Sequence, residues 1–422
     1  GLFYVNYHSR LPFVSGYRGA IGAAATISNN MTAGQAAALA AIRMKGALNV
    51  SATSQLGRQM LATLEMATRA RLTHTRPPFG IRQARVENRD AEVTEEVALH
   101  LPFGDLLHFR KDIQAPQPKV LVVAPLSGHF ATLLRGTVQT LLQDHDVYIT
   151  DWINARDVPA DAGRFGFEDY VDYLVAFLEH LGPGAHVVAV CQPCVQALAA
   201  TAIMAKHNHP CEPKSLTLMA GPIDCRVNPT AVNELATEHP IEWFKTNLIS
   251  TVPFPHPGRG RRVYPGFVQL AAFMSMNPER HIEQHKALYR HLVDGDAAEA
   301  ESIKTFYDEY FAVLDLTEEF YLETVAWVFQ EMHLPTGRLT HRGRPVDCSA
   351  IRRTAILTVE GERDDICSVG QTSAAHDLIS KLRPHLRHHH LQAGVGHYGV
   401  FNGRKWETQI YPVVKSVILS ME

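Results

Sequence analysis

The strongest constraint on the fold is a run of short apolar segments that alternate with helix-length segments from Lys119 onward. The apolar segments are rich in Val, Ile and Leu and nearly continuous, which is typical of strands buried on both faces of a parallel sheet. Strands that alternate with helices indicate βαβ units joined by right-handed crossovers, and therefore an α/β fold. The pattern predicts strands at 120–125, 146–152, 186–190, 215–222, 355–359 and 387–392, and helices at 132–142, 168–181, 193–207, 371–382 and after Gly403.

The first ninety residues do not share this rhythm. They are rich in Ala, Thr and Met, and the segments 32–44 and 51–71 carry apolar residues at helical spacing behind Ser or Thr caps. We therefore expect an N-terminal helical extension over 1–90. Alternating apolar residues between Val93 and Arg110 then predict two strands, with a hairpin turn at Gly104–Asp105.

A second interruption follows Asp224, where the chain becomes mostly helical and rich in aromatic side chains. The simplest interpretation is a helical cap inserted into one α/β domain, over the carboxyl ends of the strands. Trp243, Tyr264 and Phe267 are candidates to line an apolar channel or to contact a polymer surface, although aromatic residues at helical spacing also form internal core. The predicted division is the extension (1–90), a first part of the core (91–225), the cap (226–349) and a second part of the core (350–422).

Composition narrows the class of protein. The 422 residues are 46% apolar and 20% charged with a formal net charge of −3, which excludes intrinsic disorder and argues against nucleic acid as a partner. No segment approaches the ~18 consecutive apolar residues of a membrane span, and the first ten residues lack the pattern of a signal peptide. Six cysteines are too few for a disulfide scaffold in a chain of this length, so we expect a cytoplasmic protein.

The most informative stretch is HVVAVCQPCVQALAA, which runs from His186 to Ala200. A buried strand ends at Val190, Cys191 stands at the junction with a helix, and Pro193 suits the first helical turn. Small residues on both sides of a nucleophile allow the strand-turn-helix bend called a nucleophile elbow, and Ala189 and Pro193 occupy those places. A thiol at a helix N-terminus is also activated, because the unpaired N–H groups stabilise its anion.

Two other interpretations of this stretch stay open at the level of sequence. Cys191 can be a buried structural cysteine, since unpaired cysteines are among the most buried residues. Cys191 and Cys194 also form a C-x-x-C at a strand-to-helix junction, as in dithiol oxidoreductases, although those domains are much smaller.

A nucleophile elbow predicts an acid after a later strand and a histidine after the last strand. The segment AILTVEGERDD ends a strand and offers Glu360, Glu362, Asp364 and Asp365, among which the spacing from Gly361 favours Asp364, with Asp365 as the alternative. His397 lies on a glycine-flanked loop before the final helix. All three roles therefore occur in the expected chain order, which predicts a Cys191–Asp364–His397 triad.

An oxyanion hole requires N–H donors close to the developing negative charge. We expect one donor from the backbone of Gln192 and a second from Leu126 or Ser127, in the loop after the first parallel strand. Ser127 is also a rival nucleophile, but it has no elbow around it. His207 and His209 lack further ligands at metal-binding spacing, and no phosphate-binding glycine motif opens a helix, so neither a metal nor a cofactor is expected.

At these residues the chain resembles the intracellular polyhydroxyalkanoate depolymerases, cysteine-dependent relatives of the α/β-hydrolases that degrade stored poly(3-hydroxybutyrate). The similarity begins near Pro125, and Cys194 departs from the family pattern. The segments that carry the similarity are AVCQP (189–193), GRRVYPGFVQLAAFMSMNPERH (260–281), FYDEYFAVLDLTEEFYLETV (306–325), VEGERDDI (359–366) and VGHYGVFNGRKW (395–406).

The resemblance implies an α/β-hydrolase fold, with Cys191 as nucleophile, Asp364 as orienting acid and His397 as base. It also implies a polyester polymer or oligomer as substrate, in the cytoplasm and at the granule surface, with no cofactor and with water or coenzyme A accepting the acyl group. The oligomeric state, including a homo-oligomer, stays open. The alternatives are a polyester synthase that uses the same triad and a granule-binding protein with a vestigial site.

Overall fold

A computed structural model of the protein describes residues 55–69, 75–266, 268 and 278–422. Its strands are β1 (Gln83–Val86), β2 (Arg89–Leu101), β3 (Gly104–Lys111), β4 (Lys119–Val123), β5 (Asp146–Trp152), β6 (His186–Val190), β7 (Ser215–Met219), β8 (Ser250–Thr251), β9 (Arg262–Tyr264), β10 (Leu316–Thr317), β11 (Thr340–His341), β12 (Arg344–Pro345), β13 (Ala355–Gly361) and β14 (Arg387–Gln392). Its α-helices are α1 (Gln55–Arg69), α2 (Arg135–Leu141), α3 (Phe167–Leu181), α4 (Cys194–Lys206), α5 (Ala231–Thr237), α6 (Ile241–Leu248), α7 (Pro278–Asp294), α8 (Ala297–Tyr310), α9 (Glu318–Thr324), α10 (Ala375–Leu378) and α11 (Tyr411–Leu419).

Nine strands form one sheet in the order β1-β2-β3-β5-β4-β6-β7-β13-β14. From β5 to β14 every neighbouring pair is parallel, whereas β1, β2 and β3 pair antiparallel with their neighbours. Every residue of β6, β7 and β13 is buried. Because successive side chains of a strand point to opposite faces, these strands are covered on both faces. This is the α/β-hydrolase fold.

The first hairpin differs from its prediction. Gly104 is the first residue of β3 and Asp105 lies within that strand, so the predicted turn at Gly104–Asp105 is wrong and the turn falls on Pro102 and Phe103. Gly104 pairs with Trp152 of β5, where a Cβ atom would lie 2.6 Å from Cε3 of the indole ring. The glycine therefore makes room for a buried tryptophan and does not form a turn.

Two other boundaries shift. The sheet begins at Gln83, inside the range predicted as a helical extension, because the four residues of β1 alternate between exposed and buried and pair with β2. The predicted helix over 371–382 shortens to α10. Arg387 donates to the carbonyl oxygens of His376, Ile379 and Leu382 at the end of that segment, where further helical turns would otherwise use them.

The cap runs from α5 to β12 and contains the small sheet β10-β9-β8. The helix α1 of the predicted extension packs on it, since Arg58 Nε donates to Val293 O at 2.9 Å and Glu65 pairs with Lys304 at 2.5 Å. The predicted helix at 32–44 lies outside the described residues. Within the described ranges, none of the helices combines the length and apolar character that crossing a lipid bilayer requires.

Candidate active site

The strand β6 ends at Val190, and the next residue, Cys191, has a φ of 66°. A left-handed conformation is uncommon for a residue with a side chain and indicates a bend that its surroundings enforce. The Cys191 N–H donates to Met219 O at 2.8 Å, and the Cys194 N–H donates back to Cys191 O at 3.0 Å. The chain thus turns sharply into α4 with the Cys191 side chain at the carboxyl edge of the sheet.

Close packing holds this bend in place. A Cβ atom on Gly221, just after β7, would lie 2.2 Å from Cys194 Cβ and 3.0 Å from Cys191 O. A real Cβ atom essentially never approaches a non-bonded atom as closely as the first of these distances, so a residue with a side chain at 221 would displace the start of α4. Glycine at this position lets the loop after β7 approach the elbow.

Three side chains from distant parts of the sequence meet at this bend. The His397 Nε2 atom lies 3.1 Å from Cys191 Sγ, and His397 Nδ1 lies 2.8 Å from Asp364 Oδ2. Asp364 follows β13 and His397 follows β14, so adjacent strands bring both residues to the edge where β6 ends. The three residues chosen in the sequence analysis therefore form one continuous hydrogen-bonded chain.

The Asp364 and His397 side chains are buried, whereas Cys191 is half-buried and opens on a cavity. Burial alone would lower the pKa of His397. The negative charge of Asp364, the Cys191 sulfur and the hydrogen bonds to both outweigh burial, and they raise the pKa of His397 well above its ordinary value. The imidazole therefore holds a proton readily while it contacts the thiol.

The four acidic residues after β13 have different partners. Asp364 Oδ1 accepts from the N–H groups of Ile366 and Cys367 at 2.9 and 2.8 Å, which leaves Oδ2 for His397. Glu360 accepts from the backbone of Gly370 and Ser373, and Glu362 accepts from Gly394. Asp365 is exposed. The contact with His397 thus distinguishes Asp364 from its neighbours. Sequence spacing alone favoured Asp364 but did not exclude the others.

The second cysteine of the C-x-x-C has a different environment. Cys194 is fully buried, and its Sγ contacts the carbonyl oxygens of Ala189 and Met219 at 3.4 and 3.6 Å. Burial raises the pKa of the Cys194 thiol well above its ordinary value, and both cysteines are free thiols. Cys194 therefore behaves as a packing residue at the start of α4.

A mostly apolar cavity lies between the edge of the sheet and the cap. Cys191 and His397 line it, and α9 contributes Phe320, Tyr321 and Thr324. Two of the predicted substrate-binding residues line it: Trp243, which stacks on His239 at 4.0 Å, and Tyr264, which stacks on Tyr321 at 3.7 Å. The third, Phe267, lies outside the described residues.

The predicted oxyanion donors lie on the same cavity wall. Gln192, Leu126 and Ser127 all line the cavity beside Cys191. Within the described part of the chain, neither the Gln192 N–H nor the Leu126 N–H donates to a backbone carbonyl. The geometry favours Cys191 over Ser127 as the nucleophile, because His397 Nε2 hydrogen-bonds to the Cys191 sulfur and the left-handed bend lies at Cys191.

Sequence reasoning missed several polar residues of this cavity, among them a buried histidine. His129 follows Gly128 in the loop after β4, is buried, and lines the cavity. Its Nε2 atom lies 3.1 Å from Tyr310 O, and burial lowers the pKa of His129 to about 4. The string SGHF (127–130), which begins at the predicted oxyanion donor Ser127, is the signal that could have identified it.

Across the ranges that the structure describes, no three His, Cys, Asp or Glu side chains are grouped to hold a metal ion. The arrangement of Cys191, His397 and Asp364 can instead support nucleophilic attack by sulfur with proton transfer through an imidazole.

Several solved structures are similar to this chain. An esterase from Thermogutta terrifontis has 15% sequence identity and a TM-score of 0.39, with 78% of this chain and 99% of that chain covered. A thioesterase domain from the curacin biosynthetic pathway has 12% identity, a TM-score of 0.41 and the same coverage. A hydrolase from Pseudomonas aeruginosa has 13% identity, a TM-score of 0.40, and coverage of 78% and 97%. No curated protein matches the chain in sequence.

A family model also matches the chain. The model described as "PHB de-polymerase C-terminus" covers residues 220–422. That range contains the cap, Asp364 and His397, whereas Cys191 lies before it.

Proposed function

We propose that the protein hydrolyses ester bonds of poly(3-hydroxybutyrate) with Cys191 as its nucleophile, since residues 220–422 match the family model of the PHB depolymerase C-terminus. The observation that carries the proposal is the 3.1 Å contact between His397 Nε2 and a sulfur held at a left-handed bend. Asp364 would orient the imidazole, as the third member of a catalytic triad does.

In the acylation step, His397 takes the thiol proton and the Cys191 sulfur attacks the carbonyl carbon of a backbone ester. The N–H groups of Gln192 and Leu126 or Ser127 would stabilise the negative oxygen of the tetrahedral intermediate. The carbon–oxygen ester bond then breaks, and His397 returns its proton to the departing oxygen. The products are a hydroxyacyl thioester on Cys191 and a shortened polymer that ends in a hydroxyl group.

In the deacylation step, His397 takes a proton from water as the water oxygen attacks the thioester carbonyl. The carbon–sulfur bond breaks, the thiol recovers its proton, and a 3-hydroxy acid leaves. A coenzyme A thiol in place of water would give a hydroxyacyl thioester of coenzyme A, which keeps the acyl group activated. Hydrolysis and thiolysis therefore differ only in the molecule that accepts the acyl group from Cys191.

The cavity suits this substrate class. A polyester of short hydroxy acids presents methyl and methylene groups, which the apolar wall formed by Trp243, Tyr264 and Phe320 would bind while it excludes bulk water. The source of substrate in this proposal is stored polymer, so contact with a granule surface belongs to the proposal too. The buried, raised-pKa thiol of Cys194 does not support the dithiol oxidoreductase alternative.

Mass spectrometry of the digested protein tests the proposal. After brief exposure to amorphous poly(3-hydroxybutyrate) and acid quenching, we expect a hydroxybutyryl adduct on the peptide that contains Cys191. A Cys191→Ala variant serves as the control and should carry no adduct. Chain growth from 3-hydroxybutyryl-coenzyme A without release of soluble acid would favour a synthase, and polymer binding without any adduct would favour a granule-binding protein.

The raised pKa of His397 predicts a pH dependence for acylation. The imidazolium must protonate the departing alkoxide, so acylation by an alkyl ester should fall as pH rises through the pKa of His397. Because that pKa lies well above its ordinary value, the fall should lie well above pH 6.5. We expect this result from a pH profile of kcat/KM with methyl 3-hydroxybutyrate.

A nitrophenyl ester is the matched control, because its leaving group departs without a proton. Its pH profile should not show the falling limb, since departure of the nitrophenolate does not use the proton of His397. A falling limb near pH 6.5 with the methyl ester, or the same limb with both esters, would contradict the assignment of the proton donor to His397.

A further inference from the structure

His129 is a polar residue in an otherwise mostly apolar cavity. Its loop is fixed to the cap, since Leu314 N donates to Gly128 O at 3.0 Å and His129 pairs with Val313 in an isolated antiparallel bridge. The residue is buried, yet it lines the same cavity as Cys191 and His397. Its ring therefore forms part of the wall of the cavity that contains the reacting atoms, and the loop holds it there.

The hydrogen bond of His129 fixes its tautomer. The partner of Nε2 is the carbonyl oxygen of Tyr310, which can only accept, so Nε2 must carry the hydrogen. With a pKa lowered to about 4 by burial, the ring is neutral at ordinary pH. Nδ1 consequently holds a lone pair, and in the part of the chain described here no protein donor reaches it. Because His129 lines the cavity, this lone pair is available to a hydrogen-bond donor of the ligand.

The chemistry of a polyester restricts which part of it can supply that donor. Interior units of poly(3-hydroxybutyrate) carry ester and carbonyl oxygens, which accept hydrogen bonds and donate none. A free hydroxyl occurs at one chain end, on the carbon two bonds from the carbonyl carbon of the terminal unit. Ser127, His129 and Cys191 line the same cavity, so an acyl group whose carbonyl binds the proposed oxyanion donors would occupy the cavity that His129 also lines.

We propose that His129 Nδ1 accepts a hydrogen bond from the free 3-hydroxyl of the terminal hydroxyacyl unit and thereby makes the hydroxyl end of the chain the preferred site of cleavage. The inference rests on the proposed ester hydrolysis at Cys191. It makes His129 a specificity-determining residue, since an interior ester would bury the Nδ1 lone pair without a donor.

Two trimeric esters test this directly. One is the linear trimer of 3-hydroxybutyrate with a free terminal hydroxyl, and the other is identical except that its terminal unit is butanoyl and lacks that hydroxyl. We expect the wild-type protein to release the terminal unit from the hydroxyl trimer with a kcat/KM that is about tenfold higher. The butanoyl trimer is smaller, so steric exclusion cannot produce this preference.

Two variants complete the experiment. His129→Leu removes the acceptor and should reduce the ratio of the two kcat/KM values to near one. His129→Asn restores an acceptor oxygen close to the position of Nδ1 and should recover part of the preference, which a general loss of packing would not do. An equal rate for both trimers in the wild type, or an unchanged ratio in His129→Leu, would overturn the inference. If neither trimer forms an acyl-enzyme, the proposed function fails as well.

Discussion

A Cys191→Ala variant should lose acyl-enzyme formation altogether, and its kcat/KM for ester hydrolysis should fall by a factor of about 10⁴ or more. The sulfur is the atom that His397 Nε2 contacts, and alanine leaves the imidazole with no nucleophile to activate. The measurement is steady-state hydrolysis of methyl 3-hydroxybutyrate. A thermal melt should show that the variant stays folded, because alanine has less bulk at a half-buried position.

Cys194→Ser is the matched control for this experiment. Its hydroxyl can donate to the carbonyl oxygens of Ala189 and Met219 that now contact the thiol, so the start of α4 should persist. We expect activity within a few-fold of the wild type. If Cys194→Ser abolished turnover while Cys191→Ala retained it, the roles of the two cysteines would be reversed and a dithiol mechanism would gain support.

Local sequence signals were sufficient to predict much of the fold and the elbow. A strand buried on both faces is mostly apolar, and a strand separated from Pro193 and the next helix by only two residues indicates a sharp turn, so short windows of sequence contained the information. The meeting of Cys191, Asp364 and His397 is a long-range property. It was predictable because the α/β-hydrolase topology places the ends of β6, β13 and β14 along one edge.

Other features depend on tertiary contacts that no short window records. Gly104 reads as a turn residue, but its position is determined by the Trp152 ring across the sheet. The sequence presents His129 as an ordinary loop histidine, and only its contact with Tyr310, far along the chain, fixes which of its nitrogens carries the hydrogen. Likewise, sequence spacing left more than one acidic residue after β13 as a candidate for the triad. Backbone hydrogen bonds decide which of these carboxylates turns toward His397.

An Asp364→Asn variant should lower kcat/KM by about 10³- to 10⁴-fold while the protein stays folded. Asp364 Oδ1 accepts from two backbone N–H groups, so the amide oxygen of asparagine should occupy that position and turn its NH₂ group toward His397 Nδ1. A donor there forces Nδ1 to accept, and the proton moves to Nε2. The imidazole then presents N–H to the Cys191 thiol and cannot remove its proton.

Asp365→Asn tests whether this effect is specific to position 364. The neighbouring aspartate is exposed, and the same change in charge occurs one residue away from the His397 contact. We expect its kcat/KM to stay within a few-fold of the wild type, and alkylation of Cys191 by iodoacetamide at neutral pH to slow only in Asp364→Asn. Equal losses in both variants would indicate that the net charge of the loop matters, and would contradict a tautomer fixed by Asp364.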